Sequence, residues 1–297
     1  MTRVAALNAS SWWSLRLRWR RRTGRPRLPV LSMALCILLI FAAVAGGAIA
    51  PFAPDEPDFT AILAPPFWME GGSTMHLLGT DQLGRDMLSR LIGGARVSLL
   101  TAGAAVLVAG TIGVALGLIA GYLGGLVEAA IMRVVDAFLA LPFILMALAF
   151  VSALGTGIGN IILVMILTNW ARYARLVRSE VVSIKKRDFV LLARVAGVRP
   201  MAIALRHVLP NAMTSILVLA VLDIGRAIIL ESSLSFLGLG IQPPDVSWGL
   251  ALAEGRTYMS VAWWLTVWPG VAIVLGVMSF NLVGDWLRAS FDPRGVL

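Results

Sequence analysis

The sequence predicts an all-α membrane protein with six transmembrane helices, and three observations carry that prediction. Hydrophobic residues make up 59% of the 297 residues and charged ones only 14%, where a soluble domain carries about 25% charged residues. The apolar residues gather in runs long enough to cross hydrocarbon, which takes about 20 residues as a helix. The net charge of +9 comes from arginines in two clusters that flank apolar runs, the pattern of membrane topology and not of a nucleic-acid-binding face. Inside hydrocarbon, backbone polar groups have to be satisfied within their own segment, so the spans are expected as helices.

Residues 1–28 form a basic tail holding eight arginines and no acid, and residues 29–50 form the first span. An arginine-rich start before an apolar run resembles a signal peptide, and Ala48-Ile49-Ala50 resembles its cleavage site. Pro51 follows directly, however, and the uncharged stretch from Leu28 to Pro54 is long enough to span, so an uncleaved anchor is expected. Residues 51–96 form an outer segment, opening with Pro51, Pro54, Pro57, Pro65 and Pro66. Its second half reads as an amphipathic helix, capped by Thr80 or Asp81. Asp81/Arg85 and Asp86/Arg90 are spaced i,i+4 on its polar side, and Leu83, Met87 and Leu91 make an apolar stripe. Such a helix either anchors the second span or meets a delivering partner or outer gate.

Residues 97–297 are expected as a five-helix core, with spans at 97–122, 134–154, 159–177, 210–230 and 263–284. The glycine cluster Gly155, Gly157 and Gly159 separates the third span from the fourth. Six spans place the basic tail, the arginine-rich loop after the fourth span and the C-terminus on one side, which the positive-inside rule makes cytoplasmic. Trp263, Trp264 and Trp268 start the last span and read as interfacial anchors.

That cytoplasmic loop, 179–209, is patterned. Phe189, Val190, Leu192, Ala193 and Ala196 recur at helical spacing, and Gly197 then breaks the helix. Pro200 suits the first turn of a second helix and Pro210 the first turn of the fifth span. An ordered, apolar loop ringed by Lys and Arg invites a protein partner or rests on lipid headgroups.

Its residues resemble the signature of ABC-importer permeases, Glu-Ala-Ala-x3-Gly-x9-Ile-x-Leu-Pro. Here the match runs from Leu191-Leu192-Ala193-Arg194 to Gly197, then nine residues on to His207-Val208-Leu209-Pro210. Leu191 stands where the family often has Glu. The stretches from Gly79-Thr80-Asp81 through Gly84-Arg85-Asp86 to Arg90, from Glu231 to Pro244, Ser247-Trp248-Gly249, and Phe280 to Arg294 are similar to the C-type permease of dipeptide, oligopeptide and nickel importers. The resemblance implies a type I permease core, with Gly79, Thr80, Asp81, Gly84, Arg85 and Asp86 as an outer-loop motif. It implies coupling to ATPases through Phe189, Leu191, Leu192, Ala193, Arg194, Gly197, His207, Leu209 and Pro210. The implied partners are a B-type permease, two ATPase subunits that bind ATP and Mg, an extracytoplasmic solute-binding protein and membrane lipid. The implied location is a bacterial inner membrane, with both termini cytoplasmic, and peptides are the leading solute class.

The chemistry in the chain agrees. No Gly-x4-Gly-Lys-Ser/Thr phosphate loop occurs, and the lysines are confined to Lys185 and Lys186. No nucleophile–base constellation or metal-ligand spacing occurs, so neither a catalytic nor a metal site is expected. Cys36 has no second cysteine to pair with. Charges inside a membrane are costly and usually functional, which singles out Asp223, Arg226 and Glu231. Asp223 and Arg226 are spaced to meet on one helix face, either as a local pair or on the solute path. An ion-coupled carrier acting alone is the alternative, and it predicts several paired charges and an internal repeat.

Overall fold

The computed structural model describes residues 28–291, so most of the basic tail and the last motif residues, Asp292-Pro293-Arg294, lie outside the described residues. Within that range the chain is helical, with one isolated bridge between Thr80 and Asp86 and no strand. The helices are α1 (Val30–Ile49), α2 (Met87–Leu123), α3 (Gly125–Ala140), α4 (Phe143–Leu154) and α5 (Ile158–Ile184). They continue with α6 (Asp188–Val195), α7 (Pro200–Ile203), α8 (Leu209–Phe236), α9 (Trp248–Gly255) and α10 (Trp264–Phe291). A single π turn over Ala204–Val208 joins α7 to α8.

Spans one, two, five and six of the sequence reading correspond to α1, α2, α8 and α10, and these four helices are long and apolar enough to cross a membrane. The third span is not straight. α3 and α4 meet at a bend of 92° and count as a fifth crossing only when taken together. Leu141-Pro142 makes the break: the ring of a proline pushes the residue before it out of the helical region, and Leu141 is extended at φ −85°, ψ 134°. α5 is 27 residues long, about 40 Å at helical rise, but it falls outside the apolar set because its second half carries Arg172, Arg175, Arg178 and Glu180.

The amphipathic helix expected from Thr80 does not form. Residues 79–85 are turns, and α2 starts at Met87 with Asp86 as its N-cap, the carboxylate accepting from Ser89 N at 2.8 Å. The reason lies in the glycine between the charged residues. Gly84 sits at φ +77°, a left-handed conformation that no right-handed helix contains. A Cβ there would also lie 1.7 Å from the Asp58 carbonyl, which passes directly over it.

The centre of the fold is the contact of α2 with α5. Gly113 faces Trp170 and Tyr173, Gly117 faces Ala174 and Val177, and Gly121 faces Val181. The register advances in the same sense on both helices, so α2 and α5 run parallel, and α3 with α4 returns the chain between them. Ala102, Ala105, Ile161, Val164 and Met165 continue this core, which Ala227, Ile228, Leu234 and Phe280 extend onto α8 and α10. α1 packs on the outside against α2 and α10. The small residues let the backbones approach, the usual basis of helix association in lipid.

This packing predicts a position-dependent tolerance along one helix. At Gly113 a Cβ would come within 2.4 Å of the Trp170 carbonyl and of the Tyr173 Cβ, whereas nothing lies within 4 Å of one at Gly103. Gly113→Val is expected to destabilise by about 1–3 kcal/mol or more through overpacking, with Gly103→Val nearly neutral. Thermal unfolding of the two variants in detergent measures the difference, and equal midpoints would contradict the packing.

Candidate functional site

Four groups of polar or exposed side chains stand out along the bundle, from the α9 end to the α6–α7 end. The first is a buried clasp on the segment between α1 and α2. Asp81 accepts from Leu83 N and Arg85 N through one oxygen, at 2.8 and 3.0 Å, and binds Arg85 Nε at 2.6 Å through the other. Arg85 and Arg90 both reach Glu254 of α9, at 3.0 and 2.5 Å, and Arg90 also lies 3.2 Å from Asp81. Arg90 is only 1% exposed, so its charge is tolerated because two carboxylates surround it. The i,i+4 pairing read from the sequence holds for Asp81 and Arg85 without a helix, but Asp86 does not pair with Arg90. Asp86 binds His76 Nδ1 at 3.1 Å and caps α2 instead.

Thr80 is fully buried and ties three segments together. Its hydroxyl donates to Ala61 O and accepts from Ala64 N, and its carbonyl accepts from Trp264 Nε1 at 3.0 Å. Trp264 is therefore a buried pin and not a surface anchor. Gly79 turns the chain into this knot, donating to His76 O and accepting from Met87 N.

The second group surrounds Glu231. This carboxylate has no solvent exposure and accepts from Ser98 of α2 at 3.2 Å, from Ser235 at 2.8 Å and from Ser232 at 3.4 Å. The Ser98 oxygen in turn accepts from Trp248 N, and the Trp248 indole donates to Leu91 O at 2.8 Å. Ser247 caps α9 by accepting from Leu250 N. Ser247-Trp248-Gly249 is thus a helix start locked against α2 and α8. Beside it, Ile229, Ser232, Ser233, Phe236, Leu237, Leu252 and Ile273 line an open cavity of about 430 Å³.

The third group lies near the middle of α8. Asp223 is buried and binds Arg172 of α5 at 2.7 Å. The expected partner, Arg226, does not touch it: a residue three positions along is within reach of Asp223, but the parallel α2–α5 packing brings Arg172 closer. The other α5 cations are matched too, Arg175 with Asp136 at 2.5 Å and Arg178 with Glu128, its Nε at 2.6 Å. The two acids of α3 are thereby partners of α5 and not free interfacial charges.

The fourth group is the α6–α7 surface. α6 ends in a reciprocal pair of backbone bonds, Val198 N to Ala193 O and Gly197 N to Arg194 O, both 3.1 Å, with Gly197 at φ +74°. That is the left-handed C-terminal stop glycine favours. Val190 is fully buried against Val177, Val181 and Ile184 of α5 and Ile203, Ala204 and Val208. The opposite side is open: Phe189, Leu191, Leu192, Val195, Met201 and Leu205 are exposed, Leu192 by 68% and Val195 by 86%. Ala193 and His207 are half-buried, Arg194 and Pro210 exposed, and Leu209 packs at the edge of the Val190 cluster. Sequence reasoning missed Glu254, Ser98 and Arg172 as partners, because each meets its mate more than 50 residues away and carries no local signal; it also missed His76, ten residues from Asp86, because the segment between them is a turn and not a helix.

A helical bundle with several helices long and apolar enough to cross a bilayer, an ion pair buried between two of its helices and an apolar face open at one end fits a multi-pass membrane protein. The chain belongs to the family of binding-protein-dependent transport system inner membrane components, which it matches over residues 113–295. It is 42% identical over 263 residues to the di/tripeptide transport system permease protein DppC of Pseudomonas aeruginosa, covering 89% of this chain and 87% of the relative. It is 45% identical over 265 residues to the dipeptide permease DppC of Escherichia coli K12, covering 89% and 88%. The nickel transport permease NikC of the same organism is 38% identical over 285 residues, 96% of each chain. The fold resembles a chain of the MetNI methionine ABC transporter in an inward-facing conformation, with TM-score 0.52 and 20% identity over 69% of this chain and 97% of that one. The permease type read from the sequence is borne out, and so is the type I fold.

The re-pairing of Asp223 predicts which double change is cooperative. Asp223→Ala leaves Arg172 without its partner, so the Arg172→Ala, Asp223→Ala cycle should show a coupling of about 1–3 kcal/mol. The Asp223→Ala, Arg226→Ala cycle should be additive within about 0.5 kcal/mol. Thermal stability of the three single and two double variants decides, and the reverse pattern would favour the pairing expected from the sequence.

Proposed function

We propose that this chain is one permease half of an ATP-driven importer of short peptides. It pairs with a second permease, and solute crosses between the two. Two ATPase subunits dock on the α6–α7 surfaces, and a solute-binding protein delivers at the α9 end. The α6–α7 end then faces the cytoplasm of a bacterial cell and both termini lie on that side. The peptide assignment rests on the names of the DppC relatives. The lack of a phosphate-loop motif and the confinement of lysine to Lys185 and Lys186 support the reading that nucleotide chemistry belongs to another subunit.

The observation that carries the coupling role is the two-sidedness of α6. One side is fixed, with Val190 sealed against α5 and the turn at Gly197 closed by two backbone bonds. The other side is apolar and open in a part of the molecule ringed by arginines, as a protein-docking surface requires. The rigid mount lets a partner's movement reach the spans. Because Leu191 stands where the family often has Glu, the contact depends more on apolar burial and less on salt.

Gly197 offers the test. Nothing lies within 4 Å of a Cβ there, so Gly197→Val acts through the left-handed backbone alone, at a cost of about 1–2 kcal/mol. The variant is expected to insert and to pair with the second permease, yet to retain less ATPase on purification and to uncouple hydrolysis from uptake. Gly197→Asn, which tolerates that conformation, should retain most of both. ATPase retention across a salt series measures the effect, and full retention with normal uptake by Gly197→Val would remove this loop from the mechanism.

A further inference from the structure

Three charged side chains lie along the part of α8 that runs toward α9, and the structure provides partners for two of them. Asp223 is held by Arg172 at 2.7 Å. Glu231 is closed off from solvent by serine hydroxyls. Arg226 is the exception: it is half-buried and has no hydrogen-bond or ion-pair partner among the described residues. Steps of three and seven residues place it on the same stripe of the helix as Ile229 and Ser233, and both of those line the open cavity beside α9. Arg226 is not itself among the residues that line the cavity; long side chains on a helix lean toward its N-terminal end, so its guanidinium is directed from the cavity's stripe toward the middle of α8. The residues that line the cavity are apolar except for Ser232 and Ser233, and none is acidic.

An unpaired cation inside a membrane-spanning helix calls for an anion from elsewhere. We infer that Arg226 reads the carboxylate end of the solute as it passes from the cavity toward the middle of α8. The inference rests on the peptide-importer reading above and sharpens it to one end of the peptide. A guanidinium offers a planar pair of N–H donors that matches a carboxylate, and the bond is charge-assisted on both sides. The ammonium end finds no equivalent. Asp223 is the acid nearest along α8, and Arg172 already neutralises it; Glu231 cannot be reached from the cavity. In this half of the path a free carboxylate is therefore selected and a free amine is not.

The test uses the complete transporter, with second permease, ATPases and binding protein, in proteoliposomes. Uptake of dialanine is compared with uptake of its C-terminal amide and of N-acetyl-dialanine. The binding protein contributes the same factor before and after a permease substitution, so the change in the acid-to-amide ratio belongs to the permease. Arg226→Gln should lower that ratio about tenfold, the worth of one charge-assisted hydrogen bond, while the free-to-acetylated ratio stays constant. Arg226→Lys keeps the charge but not the planar donor pair, so its ratio should fall between those of the unaltered transporter and Arg226→Gln. Equal losses for all three peptides, or no loss, would overturn the inference. Loss of the second permease from the purified complex would also overturn it, by assigning Arg226 to subunit pairing. If the unaltered transporter takes up none of the three, the peptide reading itself fails and the carboxylate assignment falls with it.

Discussion

The close, parallel approach of α2 to α5 is the contact from which the rest of the structure follows. It exists because Gly113, Gly117 and Gly121 remove side chains from one stripe of α2 and let the α5 backbone settle into the gap. In lipid there is no hydrophobic gain from hiding apolar groups, so dispersion over such a tight seam is what holds helices together. The seam also fixes the rotation of α5. With Trp170, Ala174, Val177 and Val181 turned to α2, Arg172 is turned to α8 and Arg175 and Arg178 to α3. The lower half of α5 then offers Val181 and Ile184 as the floor on which Val190 seats α6. Lys185 closes the end of the seam by donating to the carbonyls of Gly121 and Tyr122 at 2.9 and 3.2 Å.

Charge is the second constraint, and α5 shows how it is met. A helix with three arginines and a glutamate in its last half is a poor spanning segment by composition. Each of these side chains nevertheless finds a partner on a neighbouring helix: Arg172 with Asp223, Arg175 with Asp136, Arg178 with Glu128 and Glu180 with Ser215 at 2.7 Å. Asp223 and Ser215 on α8 are eight residues apart, as Arg172 and Glu180 are on α5, so one rotation of α5 satisfies both. Asp223 is buried, so leaving it without Arg172 is costly, whereas Arg175 and Asp136 are both exposed and their pair adds little stability. The effect of the pairs is to define one rotation and one depth for α5 among many that apolar packing alone would accept.

Much of this was legible in the sequence, and the parts that were not share a physical cause. The spans at α1, α2, α8 and α10 were readable because a run of apolar residues is a local property. So were Gly197 and Pro210, since a stop glycine and a first-turn proline act on their immediate neighbours. The bend at Leu141-Pro142 is local too, since Pro142 lies inside the span expected over 134–154 and a proline displaces the residue before it from the helix. At Gly84 the i,i+4 charge spacing was given more weight than the glycine between the charges, although a left-handed residue vetoes a helix and a surface ion pair contributes only a few tenths of a kcal/mol to one. What no local rule could supply were the partners. Glu254 lies 164 residues from Arg90, and Arg172 lies 51 residues from Asp223. Those pairings come from helix rotation, which the sequence encodes only through the glycine seam.

α8 joins the two ends of the molecule into one mechanical element. From Pro200 to Phe236 the chain is helical for 37 residues, about 55 Å. Pro210 lacks the N–H that a continuous α-helix would use and its ring crowds the preceding turn. The π turn resolves both problems, with Leu209 N bonding back to Ala204 O, so the helix passes the proline without a break. A displacement of α6 therefore has no flexible loop in which to dissipate before it reaches α8. At the far end Glu231 is bound to Ser98 of α2, and Ser98 to the first residue of α9, so movement of α8 has to carry α2 and α9 with it or break hydroxyl–carboxylate bonds buried from water. Between the two ends the Arg172–Asp223 pair is a point of resistance. Apolar contacts slide past one another at small cost, whereas separating this pair would expose two charges near the middle of the bundle. Rotation about that contact preserves it and translation does not, so tilting of α8 about the Asp223 level is the motion that the packing permits most easily.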